Sequence, residues 1–318
     1  MAGKPENKRS LPEVIVVTGP TASGKTPLSL QLAEKIKKTT GKDVEIISAD
    51  SRQVYRHFPI TSAQPTNEEL KMFRHHFINE LEPEVSFNAG MFGKLGRELI
   101  ESIFNEGKVP LVVGGSGLYV NSLVYGLFEY EEDQNVEIDA KQAAVRAELY
   151  GRLEKNGLPG LIEELKKVDI ETFDSIKEFT DRRVIRALEV FYVTGIPVSE
   201  HRKRKIDINF NPKLYAVEMP RDELYDRINR RAGQMLASGM IEEISALKEK
   251  GYHYKTHNSL NTVGAREVFE YLNGKITAEE MIELIKQNTR RFAKRQMTWF
   301  RRDENIKWIA SVDEVETS

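Results

Sequence analysis

The chain has 318 residues, 40% hydrophobic and 30% charged, enough for about two cores and unlike a disordered, collagen-like or low-complexity polymer. Its 47 Lys and Arg against 49 Asp and Glu leave a net charge of −2, so basic function must show as local patches. The absence of cysteine excludes disulfides, thiolate metal sites and cysteine nucleophiles.

In chain order, the polar stretch Met1 to Pro12 is followed by no apolar run of the kind a signal peptide carries, and no segment offers the roughly 20 apolar residues of a membrane span. A soluble, cytoplasmic protein with no membrane partner is expected. Val14 to Thr18 (VIVVT) reads as a strand buried on both faces. It runs into Gly19-Pro20-Thr21-Ala22-Ser23-Gly24-Lys25-Thr26 and then into LSLQLAEKIKK, whose apolar residues recur at helical spacing. Val44 to Ser48 is a second strand, ending at Ala49-Asp50-Ser51. After a helix over Ala89 to Asn105, Val109 to Val113 is a third, followed by Gly114-Gly115-Ser116-Gly117. This alternation predicts an α/β fold with a parallel sheet flanked by helices.

A detour from about Phe128 to Arg204 begins acidic (EYEEDQ), is then helical in pattern and holds no convincing strand. It predicts an all-helical insertion, with core segments 1–127 and 205–318 around a helical domain 128–204. Leu214 to Val217 resumes the sheet. Four helical segments follow, DELYDRINRRAGQMLASG, MIEEISALKEKG, VGAREVFEYLNG and TAEEMIELIKQNTRRFAKRQMTWFRR, and IKWIA supplies a last short strand. His75-His76 is assigned to packing or hydrogen bonding in a loop and to no metal. Tyr119 and Tyr125 are assigned to the core.

The strand, the loop and the helix together satisfy G-x-x-x-x-G-K-[ST] in its required context. The glycines let backbone N–H groups approach a phosphate, the helix presents its positive end, Lys25 supplies a charge and the Thr26 hydroxyl can ligand Mg²⁺. The motif predicts a diphosphate or triphosphate site without naming the reaction. A nucleotidase or motor needs a strand ending in an acid that positions Mg²⁺ and water, whereas VPLVV ends in GGSG. Asp50, at a strand's carboxyl end, has three readings: a Mg²⁺ ligand, a general base, or a turn cap.

These segments resemble the bacterial tRNA dimethylallyltransferase family. The matching runs are GPTASGKT, ISADSRQVY, HHF, VPLVVGGSGLY, RRVIRALEV, RINRR, QMLASG, NTVGARE and RRFAKRQMTWFR, in the family's order and over most of the chain. The resemblance implies a P-loop NTPase-like core whose loop, Gly19 to Thr26, holds dimethylallyl diphosphate. The five-carbon group would pass to N6 of the adenosine beside the anticodon, position 37 of tRNA, with Mg²⁺ as cofactor. It implies that Asp50 is the general base, that Thr21 lines the site and that Arg227 contacts the diphosphate. Asp50, Ser51, Arg52 and Gln53 form its base-reading segment, although Arg52 taken alone reads as a surface salt bridge. Further RNA contacts fall on Ser116, Arg146, Arg182, Arg183, Arg186, Gly264 and Arg266.

Between Ile285 and Arg302 stand seven basic residues and no acid. Arg290 and Lys294, like Arg291 and Arg295, are i,i+4 neighbours on a helix. With Gln296 and Arg301 they complete the expected tRNA surface, while Phe292 and Trp299 are assigned to the core. The tRNA anticodon stem-loop and the prenyl diphosphate are the expected partners of a monomer. Phe58 to Pro65 departs from the family's Gly-Met-Asp-Ile-Gly-Thr-Ala-Lys-Pro run, and Ala265 stands where the family has Tyr.

Overall fold

The computed structural model describes residues 11–126, 135–203 and 206–317. The chain divides into two compact units, Met1–Val124 with Ile208–Ser318, and Tyr125–Asp207. EYEEDQ lies outside the described residues.

The first unit is built on six strands: β1 (Glu13–Thr18), β2 (Val44–Ser48), β3 (Arg74–His76), β4 (Val109–Val113), β5 (Asn211–Val217) and β6 (Lys307–Ile309). They form one sheet in the order β3-β2-β4-β1-β5-β6, and every neighbouring pair is parallel. β1 is central and its residues from Val14 to Thr18 are all buried, which is why its sequence is continuous Val and Ile rather than alternating. Ile15, Val17, Ile46, Leu111, Tyr215 and Val217 meet Leu32, Ala33 and Ile36 of helix α1 (Lys25–Thr40) in one apolar cluster.

His75 and His76 lie on β3, an edge strand and not the loop expected for them. Three residues are too few to show a period. The tie is tertiary: His76 Nε2 lies 2.6 Å from the buried Glu45 carboxylate, which also accepts from Lys108 Nζ at 2.6 Å. Among the described residues no group of three or more His, Cys, Asp or Glu could hold a metal.

Because β1, β2 and β4 are parallel neighbours, the loops at their carboxyl ends lie together, the edge where open α/β sheets bind ligands. The Gly-rich run after β4 is explained by crowding. A Cβ on Gly114 would lie 2.0 Å from Ala49 O, and one on Gly117 would lie 2.3 Å from Trp299 Cδ1. Ala49 N–H donates to Val113 O at 2.8 Å and Ser116 N–H to Ala49 O at 3.2 Å, so the loops after β2 and β4 are joined backbone to backbone.

The short segment after Asp50 folds into α2 (Pro59–Ser62) and α3 (Asn67–Met72). α4 (Ala89–Asn105) and α5 (Gly117–Tyr125) complete the first half of the unit. Tyr119 is buried as expected, stacked on Phe92 with ring centroids 4.9 Å apart. Tyr125 is exposed, against expectation, because it falls on the last residue of α5, off the face that packs.

The second unit is all helical where described: α6 (Asn135–Asn156), α7 (Leu158–Val168), α8 (Ile170–Ser175), α9 (Asp181–Thr194) and α10 (Val198–Lys203). Leu149, Leu161, Leu165, Val184, Ile185 and Leu188 form its core. The first unit then resumes with β5, α11 (Arg221–Ala237), α12 (Met240–Glu249), α13 (Ala265–Leu272) and α14 (Ala278–Phe300). Among the described residues, no helix is long and apolar enough to cross a membrane.

The crowding at Gly114 gives a direct test. Gly114→Ala drives a methyl into backbone atoms that cannot rotate away, and a loss of about 3 kcal/mol is expected by urea or thermal unfolding. Gly151→Ala, within α6 and with nothing within 4 Å, is expected to gain roughly 0.5–1 kcal/mol in the same assay.

Candidate active site

The loop between β1 and α1 holds three residues at positive φ: Gly19 at 140°, Ala22 at 64° and Gly24 at 91°. Gly19 and Gly24 adopt this freely, but Ala22 does so at a cost of about 1 kcal/mol. What holds Ala22 is packing, since it sits against Leu224 and Ile228 of α11 and Ala293 of α14.

The start of α1 is left open. Gly24 at the N-cap offers no side-chain oxygen, and the first turn holds no acid. The N–H groups there have no intrahelical partner and carry the positive end of the helix. Ser23 Oγ is buried and has no hydrogen-bond partner among the described residues. An uncapped helix with a buried orphan hydroxyl is suited to an anion.

Lys25 Nζ donates to Pro20 O at 2.7 Å. Burial, followed by the nearby charge of Arg231, pushes its ammonium down to about 8 against the pull of Asp50. Arg231 is itself lowered by burial and opposed by Asp50. Arg231 was missed in the sequence. Its signal is the i,i+4 spacing from Arg227 in RINRR, which puts both on one face of α11. Arg227 pairs with Glu223 at 2.8 Å, and its Nη1 would lie 3.4 Å from a Cβ on Gly24, so it borders the loop.

Asp50 is partly exposed and its Oδ1 accepts the Arg52 N–H at 2.9 Å. One oxygen therefore caps the turn, and no hydrogen bond to Oδ2 is found among the described residues. Ser51 N–H donates to Ser116 Oγ at 3.0 Å, so Ser116 fixes the turn that carries Asp50. Arg52 makes no carboxylate pair within 4 Å among the described residues, contrary to the surface salt bridge. Its guanidinium donates instead to Ser51 O and Asn261 O, each at 3.4 Å.

The Gln53 amide is turned onto the protein itself. Its Oε1 accepts from Ser48 Oγ at 2.9 Å and its Nε2 donates to Ala63 O at 2.8 Å, so its amide holds the following loop. That loop, 58–65, is pinned again by Glu243 of α12, which accepts from the backbone N–H groups of Ile60 and Thr61 at 2.8 Å. Gly264, expected at the RNA surface, is buried at φ 95°, with Met240 Cε 2.3 Å from where its Cβ would stand. Arg266 is exposed.

On α14, Arg291, Lys294 and Arg295 are exposed, forming the expected ridge, and Arg301 follows it with its guanidinium over the Trp308 ring at 5.8 Å. Arg290 is tied to α11 through Asn229 Oδ1 at 2.6 Å. Phe292 and Trp299 are each 39% exposed and not in the core, because the buried face of the helix is Ala293, Gln296 and Phe300. Gln296 thus points inward, away from the cations. In the helical unit, Arg182 and Arg183 are exposed. Arg146 and Arg186 both pair with Glu189, a buried carboxylate that also accepts from Gln142 Nε2 at 2.7 Å. Burial would raise Glu189, but the hydrogen bonds from Arg146 and Gln142 and the charge of Arg186 hold it below the usual range.

Two family models match: IPP transferase over residues 53–303 and isopentenyl transferase over residues 12–92. A tRNA dimethylallyltransferase of Natranaerobius thermophilus is 39% identical over 304 residues, 96% of this chain and 88% of that one. One from Acetivibrio thermocellus is 40% identical over 298 residues, 93% and 91% of the two chains. Among solved structures, the tRNA isopentenylpyrophosphate transferase of Bacillus halodurans is 37% identical with a TM-score of 0.65, covering 93% of this chain and 89% of that one. A eukaryotic dimethylallyltransferase described as acting on tRNA is 27% identical with a TM-score of 0.75, covering 94% and 74%.

A lysine lowered to about 8 should regain its proton when an anion enters the loop. Calorimetric titration with inorganic pyrophosphate near pH 8.5, in buffers of different ionisation heat, should therefore show proton uptake on binding. Lys25→Met should abolish that uptake and weaken binding.

Proposed function

The chain belongs to the IPP transferase family and is a tRNA-modifying prenyltransferase, and on that premise we propose how its residues perform the transfer. The donor is dimethylallyl diphosphate, held by the loop Gly19 to Thr26. The acceptor is N6 of the adenosine 3′-adjacent to the anticodon of a tRNA. The observation that carries this reading is the meeting of an uncapped, lysine-bearing helix start with a carboxylate, Asp50, whose charge reaches both Lys25 and Arg231.

The N6 lone pair attacks C1 of the allylic chain while the C1–O bond breaks, and the diphosphate leaves with that electron pair. Lys25, Arg231 and the first-turn N–H groups stand where the leaving charge collects, which is where stabilisation lowers the barrier most. Asp50 Oδ2 takes the proton that N6 sheds, while Oδ1 keeps the turn rigid through Arg52 N–H. No water-activating carboxylate is needed after β4, where a side chain at Gly114 would meet the Ala49 backbone and one at Gly117 the Trp299 ring.

The target base sits in a stacked loop, so it must be extruded at a cost of a few kcal/mol. Ser51 and Arg52, which follow Asp50 in the chain, receive it, and the Ser51 N–H bond to Ser116 Oγ supports this reading by holding the turn. Arg182 and Arg183 of the helical unit, with Arg291, Lys294 and Arg295 of α14, contact RNA phosphates.

The chemistry of the residues fits Mg²⁺ held chiefly by the substrate. The described residues form no protein-only cage, and the Thr26 hydroxyl beside a diphosphate suits an ion that keeps its waters and uses one or two protein ligands. When bound, the ion would add positive charge at the diphosphate.

Mass spectrometry of nucleosides from unmodified tRNA incubated with the protein, Mg²⁺ and dimethylallyl diphosphate should show one prenyl unit on adenosine. Label appearing only on free AMP overturns the acceptor. Asp50→Ala should lower turnover about 10²–10⁴-fold while tRNA binding is kept, and unchanged turnover removes it from the chemistry. Arg182→Ala and Lys294→Ala should each flatten the salt dependence of tRNA affinity by about one unit of slope, with little change in sequence preference.

A further inference from the structure

Gln296 sits on the inner face of α14 with Ala293 and Phe300, and is 7% exposed. Its amide is wholly committed. Oε1 accepts the Thr21 N–H at 2.8 Å, and Nε2 donates to Gly115 O at 2.7 Å. One side chain thus joins the phosphate loop after β1 to the Gly-rich loop after β4, across 275 and 181 positions of sequence. Gly115 must lack a side chain for this contact, since its Cβ would lie 2.7 Å from Gln296 Nε2. The same virtual atom would lie 3.5 Å from Lys25 Nζ, so the brace is adjacent to the ammonium.

We infer that Gln296 is a positioning residue of the diphosphate cradle and not an RNA contact: it acts through the backbones of Thr21 and Gly115 to hold the loop in its anion-binding shape. The loop needs such a brace. Ala22, the neighbour of Thr21, is held at φ 64°, a conformation an alanine leaves when its restraints go. Two restraints involve α14: Ala22 packs on the cluster that Ala293 forms with Leu224 and Ile228, and the amide of Gln296 holds Thr21, Ala293 and Gln296 being one turn apart on the same helix face. Removing the amide would leave a partly buried N–H and a buried carbonyl unpaired and free the loop to reorganise. This inference rests on the phosphate loop being the diphosphate site.

Gln296→Met keeps length and helix propensity but makes neither hydrogen bond. Gln296→Glu keeps an acceptor for Thr21 N–H, but sets a second oxygen against Gly115 O and a negative charge beside the bound anion. The expected result for Gln296→Met is a rise of about tenfold in the Kd of inorganic pyrophosphate and in the KM for dimethylallyl diphosphate. Binding of tRNA in the absence of donor should stay within about twofold. Gln296→Glu should lose more, because its charge opposes the ligand.

Pyrophosphate affinity equal to wild type in both variants overturns the inference, as does a loss of tRNA affinity with pyrophosphate affinity unchanged. A fall in both affinities together with a lowered melting temperature shows a general structural role, and also overturns it. Failure of the wild-type protein to bind pyrophosphate or dimethylallyl diphosphate at all is a different result, which removes the diphosphate reading itself.

Discussion

Positive charge gathered without an adequate acidic partner is the constraint on which the rest of the first unit depends. The start of α1, Lys25 and Arg231 converge at the end of β1, and burial works against both side-chain charges. Asp50 is the acid that acts on both, yet no ion pair to either lies within 4 Å among the described residues. Such an arrangement is unfavourable in the free protein and becomes favourable when an anion arrives. The surrounding structure holds it in readiness. β1 is buried along its length, Ala22 is packed by two helices, and the loops after β2 and β4 are joined through Ala49 and Ser116.

The polar residues divide into those that make the site's shape and those left to act. Ser116, Gln53 and Gln296 carry hydrogen-bonding groups that a sequence motif would assign to substrate, yet their partners are the protein's own backbone or side chains. The 58–65 loop illustrates the same economy. It lacks the family's glycines and lysine, but Glu243 accepts from the N–H groups of Ile60 and Thr61, Gln53 donates to Ala63 O, and the loop's own Gln64 donates back to the carbonyls of Gln53 and Tyr55.

The basic residues of the helical unit show a related division. Glu189 is buried between Arg146 and Arg186 and fixes both guanidinium groups, while Arg182 and Arg183 remain on the exposed face of α9. A carboxylate among arginines lowers the local charge but removes the repulsion between two cations held close together, and it anchors α6 to α9. On α14 the exposed cations and the inward Gln296 alternate because a helix turns 100° per residue. A single helix can therefore present charge on one face and brace the phosphate loop with the other.

The sequence by itself determined the sheet strands β1, β2 and β4, helix α4, the phosphate loop and the helical nature of the insertion. Each is written in a local period or a fixed spacing that short-range sterics and burial enforce. It also placed Asp50 at a strand end and the cations on α9 and α14. Only the tertiary structure decided that β3 is an edge strand, that Arg231 joins Lys25, that Phe292 and Trp299 stay outside the core, and that Gln53, Gln296 and Gly264 serve the protein's own framework. The reason is physical: an amide or a glycine carries no local signal of its partner, and Gln296 finds Thr21 only after the chain has folded the two together.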